Sequence, residues 1–122
     1  MISLAATTYH HGWGAPYNMA KAAQEALAFT LAKEERRHGI HVNVVAPGFI
    51  ETEMGRRLAK AAAGVDDLRE LDGRAAFGRV CQPLDVAKVV LWLCSDGAGY
   101  LTGQRIECDG GIPTPYAVRS AL

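Results

Sequence analysis

Tyr17 and Lys21 stand four residues apart, and on a helix that spacing puts both side chains on one face, about 5–6 Å apart at Cβ. A phenol ordinarily titrates near ~10. A cation within ~4–6 Å favours the phenolate, and the positive end of a helix dipole acts in the same sense. The pair is therefore a candidate for moving a proton to or from a substrate oxygen near neutrality. Taken alone it is weak, because the same spacing also describes a surface tyrosine beside a solvated lysine.

The stretch that must position the pair is residues 16–35, PYNMAKAAQEALAFTLAKEE. Pro16 opens it where a missing N–H costs nothing. Ala20, Ala23, Leu27 and Leu31 recur at helical spacing, with Ala28 and Phe29 widening the apolar surface. Arg36, Arg37 and His38 suit the negative end of the helix, and Gly39 suits a left-handed stop. Ahead of this helix, residues 2–6 (ISLAA) read as a short apolar strand and residues 7–14 as a glycine-containing loop. After it, residues 40–45 (IHVNVV) form a nearly continuous apolar run, as in a parallel strand covered on both faces. A strand–helix–strand unit follows from that order.

Downstream, Thr52 is placed to cap a helix over residues 54–63 that Gly64 ends, and Leu68 and Leu71 mark a further short turn. The whole of residues 49–73 reads as a mobile flap. Residues 85–94 read as a strongly buried helix begun near Pro83, and residues 103–108 (GQRIEC) as a third strand closed by the turn Asp109-Gly110-Gly111.

The chain has 122 residues, 49% hydrophobic and 21% charged with a formal net charge of zero, which describes one ordinary globular domain at most. A neutral balance without a basic cluster argues against nucleic acid as a partner. No apolar run reaches the ~18 residues of a membrane span, and no leader pattern opens the chain. Cys81, Cys94 and Cys108 lack metal-ligand spacing and read as small buried hydrophobes of a reducing compartment, so a cytoplasmic location and no metal are expected.

Four stretches fall in one order: YNMAK, HVNVVAPGFIETEM, QPLDVAKVVLWLCSDGAGYLTG and QRIECDGG. That order resembles the C-terminal half of the short-chain dehydrogenases/reductases, over residues 2–112. There Tyr-x-x-x-Lys begins a long helix, Pro-Gly follows the next strand, and Thr-Gly-Gln with Asp-Gly-Gly brackets the last one. The resemblance implies an α/β fold, part of a Rossmann-like doubly wound parallel sheet of about three strands, with residues 1–122 as the C-terminal portion of one domain. It also implies an NAD- or NADP-dependent oxidoreductase acting on a small-molecule alcohol or carbonyl.

By the same resemblance Tyr17 is the general acid or base, and Lys21 lowers its pKa and holds the nicotinamide ribose. Pro47, Gly48 and Ile50 wall the nicotinamide, and Thr52 offers a hydroxyl to the carboxamide or phosphates. In the family the helix that begins with the tyrosine packs on a partner subunit, so a homodimer or homotetramer is expected. His10, His11, Tyr9 and Trp13 are candidates for a substrate pocket or for exposed loop positions.

Two departures stand out. The family's serine, about thirteen residues before the tyrosine, falls here on Leu4, and Thr7 is the preferred substitute for its hydroxyl, with Thr8 as the alternative. The glycine-rich phosphate-binding turn after a first strand has no counterpart in these residues. The sequence therefore reads as the second half of an enzyme about twice as long. The competing reading is a catalytically silent segment acting only as an interaction module.

Overall fold

A computed structural model describes residues 2–4, 14–75 and 77–111. Its elements are β1 (Ile2–Leu4), α1 (Ala15–Glu35), β2 (Asn43–Pro47), α2 (Glu53–Ala63), α3 (Pro83–Leu93) and β3 (Arg105–Cys108). The three strands form one parallel sheet in the order β1-β2-β3. This is the expected α/β arrangement, a part of a doubly wound sheet.

The centre is β2, whose five residues are all buried. Alternate residues of a strand face opposite sides. Val44 and Ala46 accordingly meet Ala28 and Ala32 of α1 on one face, with Val42 beside them. Val45 faces the other way, toward Val86 and Leu93 of α3 and Ala98. Fully burying each valine contributes roughly 1.5–3 kcal/mol, and both faces need a helix for that to happen.

Strand β2 begins at Asn43, three residues later than the apolar run suggests, because its partner is late as well. Gly103 takes left-handed geometry at φ 67, and its N–H donates to the Val42 carbonyl at 2.7 Å. The approach to the strand is held by side chains instead of a ladder: Val42 N–H donates to Thr102 Oγ1 at 3.1 Å. Asn43, a buried polar residue, uses both ends of its side-chain amide. Its Nδ2 donates to the Leu101 carbonyl at 3.1 Å, and its Oδ1 accepts from Gln104 N–H at 3.1 Å.

Helix α1 starts and stops where its proline and Gly39 place it. Gly39 closes a 3-10 turn, Arg36–His38, at φ 71, and its N–H donates to the Arg36 carbonyl. The inward face differs from expectation. Ala28 and Ala32 point in, with Phe29 and Leu31 packed beside them as expected, whereas Ala20 and Ala23 are exposed and Leu27 is 56% exposed. The i, i+4 alanine pair has no long side chain to hold the helix off the sheet, so it forms the closer contact.

Helix α3 is likewise less buried than its composition suggests. Val86 and Leu93 are inside, while Leu84, Leu91 and Trp92 are exposed. Cys94 is exposed too, and Cys81 and Cys108 are only partly covered, which corrects the reading of all three as buried.

The region between β2 and α3 is locally well specified. Thr52 accepts from Gly55 N–H as the N-cap of α2, and Gly64 ends that helix at φ 67. A 3-10 turn over Leu68–Arg74 follows, begun by a capping box in which Asp67 accepts from Arg69 N–H and Glu70 accepts from Asp67 N–H. Together they enclose a separate cluster of Ala59, Leu68, Leu71 and Val80, with Phe49 and Val65 against it.

Candidate functional site

Tyr17 lies in the first turn of α1, which begins at Ala15 with Pro16 as its second residue. Lys21 follows one turn on, and its Nζ stands 6.0 Å from the centroid of the Tyr17 ring. That is within cation–π reach. The same Nζ donates to Gln24 Oε1 at 3.3 Å. Both residues are partly buried, so the helical spacing does bring phenol and ammonium together.

Tyr17 lines a cleft of about 450 Å³ whose other described wall is one face of α2: Glu53, Met54, Arg57 and Leu58. Glu53 and Arg57 are ion-paired across one helical turn. The wall is apolar at Met54 and Leu58 and charged with both signs at its rim.

The segment that links β2 to this wall is clamped from two directions. Gly48 N–H donates to the Cys108 carbonyl at 3.1 Å, and Glu51 N–H donates to the Cys81 carbonyl at 2.9 Å. Between them, Ile50 forms a parallel bridge with Cys81. A Cβ at Gly48 would lie 3.1 Å from Cβ of Asp109, so a bare backbone is what lets Pro47-Gly48 pass the turn after β3. Gly55 is tighter still. A Cβ there would fall 1.9 Å from the Ile50 carbonyl oxygen, so α2 begins directly on the Ile50 backbone.

Thr52 has two hydrogen-bonding roles within the chain. Its Oγ1 accepts from Gly55 N–H at 3.0 Å and donates to the Ile50 carbonyl at 3.4 Å. Pro47, Gly48, Ile50 and Thr52 thus lie along one path from the carboxyl end of β2 to the Tyr17 cleft. Thr7 and Thr8 fall outside the described residues, as do Tyr9, His10, His11 and Trp13. Among the described residues, no group of three or more His, Cys, Asp or Glu is arranged to hold a metal ion, and no helix is long and apolar enough to cross a membrane.

A second cleft, about 540 Å³, opens on the α3 side of the sheet, between Phe49, Cys81, Lys88 and the Cys108–Asp109 strand end. At its rim Arg79 grips Asp85 with two bonds, Nη1 to Oδ2 at 2.6 Å and Nη2 to Oδ1 at 2.9 Å. Asp85 Oδ2 also accepts from Gln82 N–H at 2.8 Å. The guanidinium, with that backbone donor, holds the Asp85 carboxyl down at about 2. Cys81 and Cys108 meet in this cleft. Their positions in the sequence give no sign of it, because the contact depends on the register of β3 and on the Ile50–Cys81 bridge.

Comparison with known proteins points to one family. A family profile described as enoyl-(acyl carrier protein) reductase matches residues 1–113. A 3-oxoacyl-(acyl-carrier-protein) reductase of Pseudomonas aeruginosa is 43% identical over 96 residues, covering 79% of this chain and 37% of the relative. A tropinone reductase homolog of Arabidopsis thaliana is 42% identical over 99 residues, covering 81% of this chain and 37% of the relative. The chain therefore spans well under half the length of these curated relatives. Among solved structures, a short-chain dehydrogenase/reductase of Brucella melitensis superposes with a TM-score of 0.76 at 30% identity, covering 93% of this chain and 45% of that one. The acetoin dehydrogenase of Salmonella typhimurium gives 0.72 at 31%, covering 91% and 41%.

Proposed function

The chain belongs to the short-chain dehydrogenase/reductase family, and from that premise we propose that Tyr17 transfers the proton in an NAD- or NADP-dependent interconversion of an alcohol and a carbonyl compound. The observation that carries the reading is the Tyr17–Lys21 pair at the mouth of a cleft walled by α2. Tyr17 gives its hydroxyl proton to the carbonyl oxygen in reduction and takes it back in oxidation, a positioned acid–base role. Lys21 stands beside the phenol and would hold the ribose hydroxyls of the cofactor.

The nicotinamide supplies the hydride when bound. The residues present fit its reactive end: Pro47-Gly48 lies at the carboxyl end of a central parallel strand, where open α/β sheets take their ligands, and Gly48 lets that segment pass close against Asp109. Ile50 and Thr52 extend that wall toward Tyr17. The phosphate-binding glycines are not among these 122 residues, so we assign the chain to the proton-transfer, C-terminal portion of a single Rossmann-like domain.

The same helix offers an association surface. Met19 and Leu27 are 71% and 56% exposed, with Ala20 and Ala23 exposed between them. This small, apolar strip supports an isologous helix–helix contact in a homodimer or homotetramer.

The test is turnover of a panel of carbonyl substrates with NADH and NADPH by the protein that carries this chain, wild type against Tyr17→Phe. Loss of about 10²–10⁴-fold in rate with cofactor affinity retained is expected, the value of a positioned acid. A variant keeping a tenth of the rate removes Tyr17 from the chemistry.

A further inference from the structure

The two thiols in the second cleft are used by nothing described above. Cys108 is the last residue of β3, and Ile106 and Cys108, two apart, share one face of that strand. Both pack into the cluster around Val45 and Val86, and Cys81 joins the same cluster from the segment that enters α3. The backbones are fixed as well as the side chains. Cys108 is the register partner of Pro47, and Cys81 is the bridge partner of Ile50. Two positions on one short stretch thus hold both cysteines, and their side chains line one wall of the same cleft. The two thiols are near enough to influence each other, and the Cys81 S–H itself donates to the Gln82 carbonyl at 3.7 Å.

We propose that Cys81 and Cys108 form a dithiol modification site that closes to an intrachain disulfide by exchange with a small-molecule disulfide. The Cys108 thiolate attacks one sulfur of the reagent RSSR and releases RS⁻, leaving a mixed disulfide. Cys81 then loses its proton to solvent or to RS⁻ and attacks the Cys108 sulfur, expelling the second RS⁻. Two thiols are oxidised to one disulfide, and RSSR is reduced to two RSH. Cys108 is the better first nucleophile, because the neighbouring Cys81 thiol favours its thiolate whereas Cys108 disfavours that of Cys81.

Exchange at this site is slow and selective. Burial, reinforced by the neighbouring Cys108, pushes the Cys81 thiol up to about 12, and burial raises Cys108 as well. Only the thiolate attacks, so brief exposure leaves the pair reduced. The bridge would tie the end of β3 to the entrance of α3 and close a loop containing the whole of that helix. It would also stiffen the Gly48–Glu51 path, because both cysteine carbonyls already accept from it. The inference does not depend on the reading of Tyr17.

The experiment uses the 122-residue chain incubated with glutathione disulfide and followed by intact mass and tryptic mapping under non-reducing conditions. Cys94 is exposed and takes up glutathione in every form that retains it, which confirms that the reagent is active. The expected product beyond that adduct is lighter by about 2 Da, the two thiol hydrogens. Its map joins the peptide spanning residues 80–88 to that spanning 106–119. Dithiothreitol reverses it, and the melting temperature rises in the bridged form and falls on reduction. Cys81→Ser and Cys108→Ser each abolish the mass loss, and Cys94→Ser leaves it intact. If a serine variant fails to fold, the wild-type peptide map decides alone. Glutathione retained on Cys81 or Cys108 without a bridge, a bridge to Cys94, or no change at either residue after prolonged exposure overturns the proposal.

Discussion

Of the 21 residues of α1 only Ala28 and Ala32 are buried, whereas the much shorter α2 and the turn after it enclose Ala59, Leu68, Leu71 and Val80 in a cluster of their own. The two regions also differ at their ends. Helix α1 is entered from Gly14 with no side-chain cap. Helix α2 has Thr52, and the following turn has the Asp67–Glu70 capping box. Each such cap contributes about 1 kcal/mol. The segment expected to be the least ordered by local pattern is therefore the one with the most local support. The helix that carries Tyr17 and Lys21 depends on what covers its outer face. A helix whose buried contact is two alanines, with Phe29 and Leu31 packed beside them, leaves its Met19, Ala23 and Leu27 surface available to a second molecule, and the Tyr17–Lys21 pair sits on that helix.

The contrast can be tested by removing its supports one at a time. The largest effect is expected for Leu71→Ala, 1% exposed in the α2 cluster. Its loss costs about 2–5 kcal/mol, the range for truncating a buried leucine, read as a shift in a urea unfolding curve. A cost under about 1 kcal/mol would show that this cluster does not hold the segment. Next is Thr52→Ala, which removes the acceptor of Gly55 N–H and costs about 0.5–2 kcal/mol. Thr52→Ser should restore most of it, because only the hydroxyl oxygen is needed.

A smaller effect belongs to Asp85, whose carboxyl is held at about 2 by Arg79 and by Gln82 N–H. The folded value lies below the ordinary 3.8. Its contribution is therefore present above pH 4 and is lost as the pH falls toward 2. Asp85→Asn should flatten the acid limb of the stability curve in that window. Unchanged acid dependence in the variant would show that the Arg79 grip is not maintained in solution.

The smallest effect on stability is expected at Ala23→Arg, within about ±0.5 kcal/mol as for an exposed helix position. Its consequence lies elsewhere. Light scattering should report a lower mass than wild type if α1 pairs across its Ala23 face. A wild-type protein that is already monomeric sinks the association, and leaves α1 stabilised by the sheet alone.

Much of this architecture is written in short-range chemistry and could be read from residue types in order. Pro16 and Gly39 bound α1, Thr52 and Gly64 bound α2, and Asp109-Gly110-Gly111 turns the chain after β3, with positive φ at both glycines. Such signals are local, because they depend on a φ angle or on an N–H a few residues away. The spacing of Tyr17 and Lys21 is local in the same sense, and so was legible as a pair. What packing alone decided is which surface of each helix faces inward. Alanine and leucine at α1 positions 20, 23, 27, 28 and 32 are all apolar, and periodicity weighs them alike. The sheet selects the pair whose small size allows the closest approach. The late start of β2 was set by the turn at Gly103, sixty residues away in the chain by the Val42–Thr102 bond. The same holds for Cys81 and Cys108, which meet only because two distant backbones are registered against one strand and its extension. Long-range register has no local residue signature, so it was left to the folded chain to bring those sulfurs together.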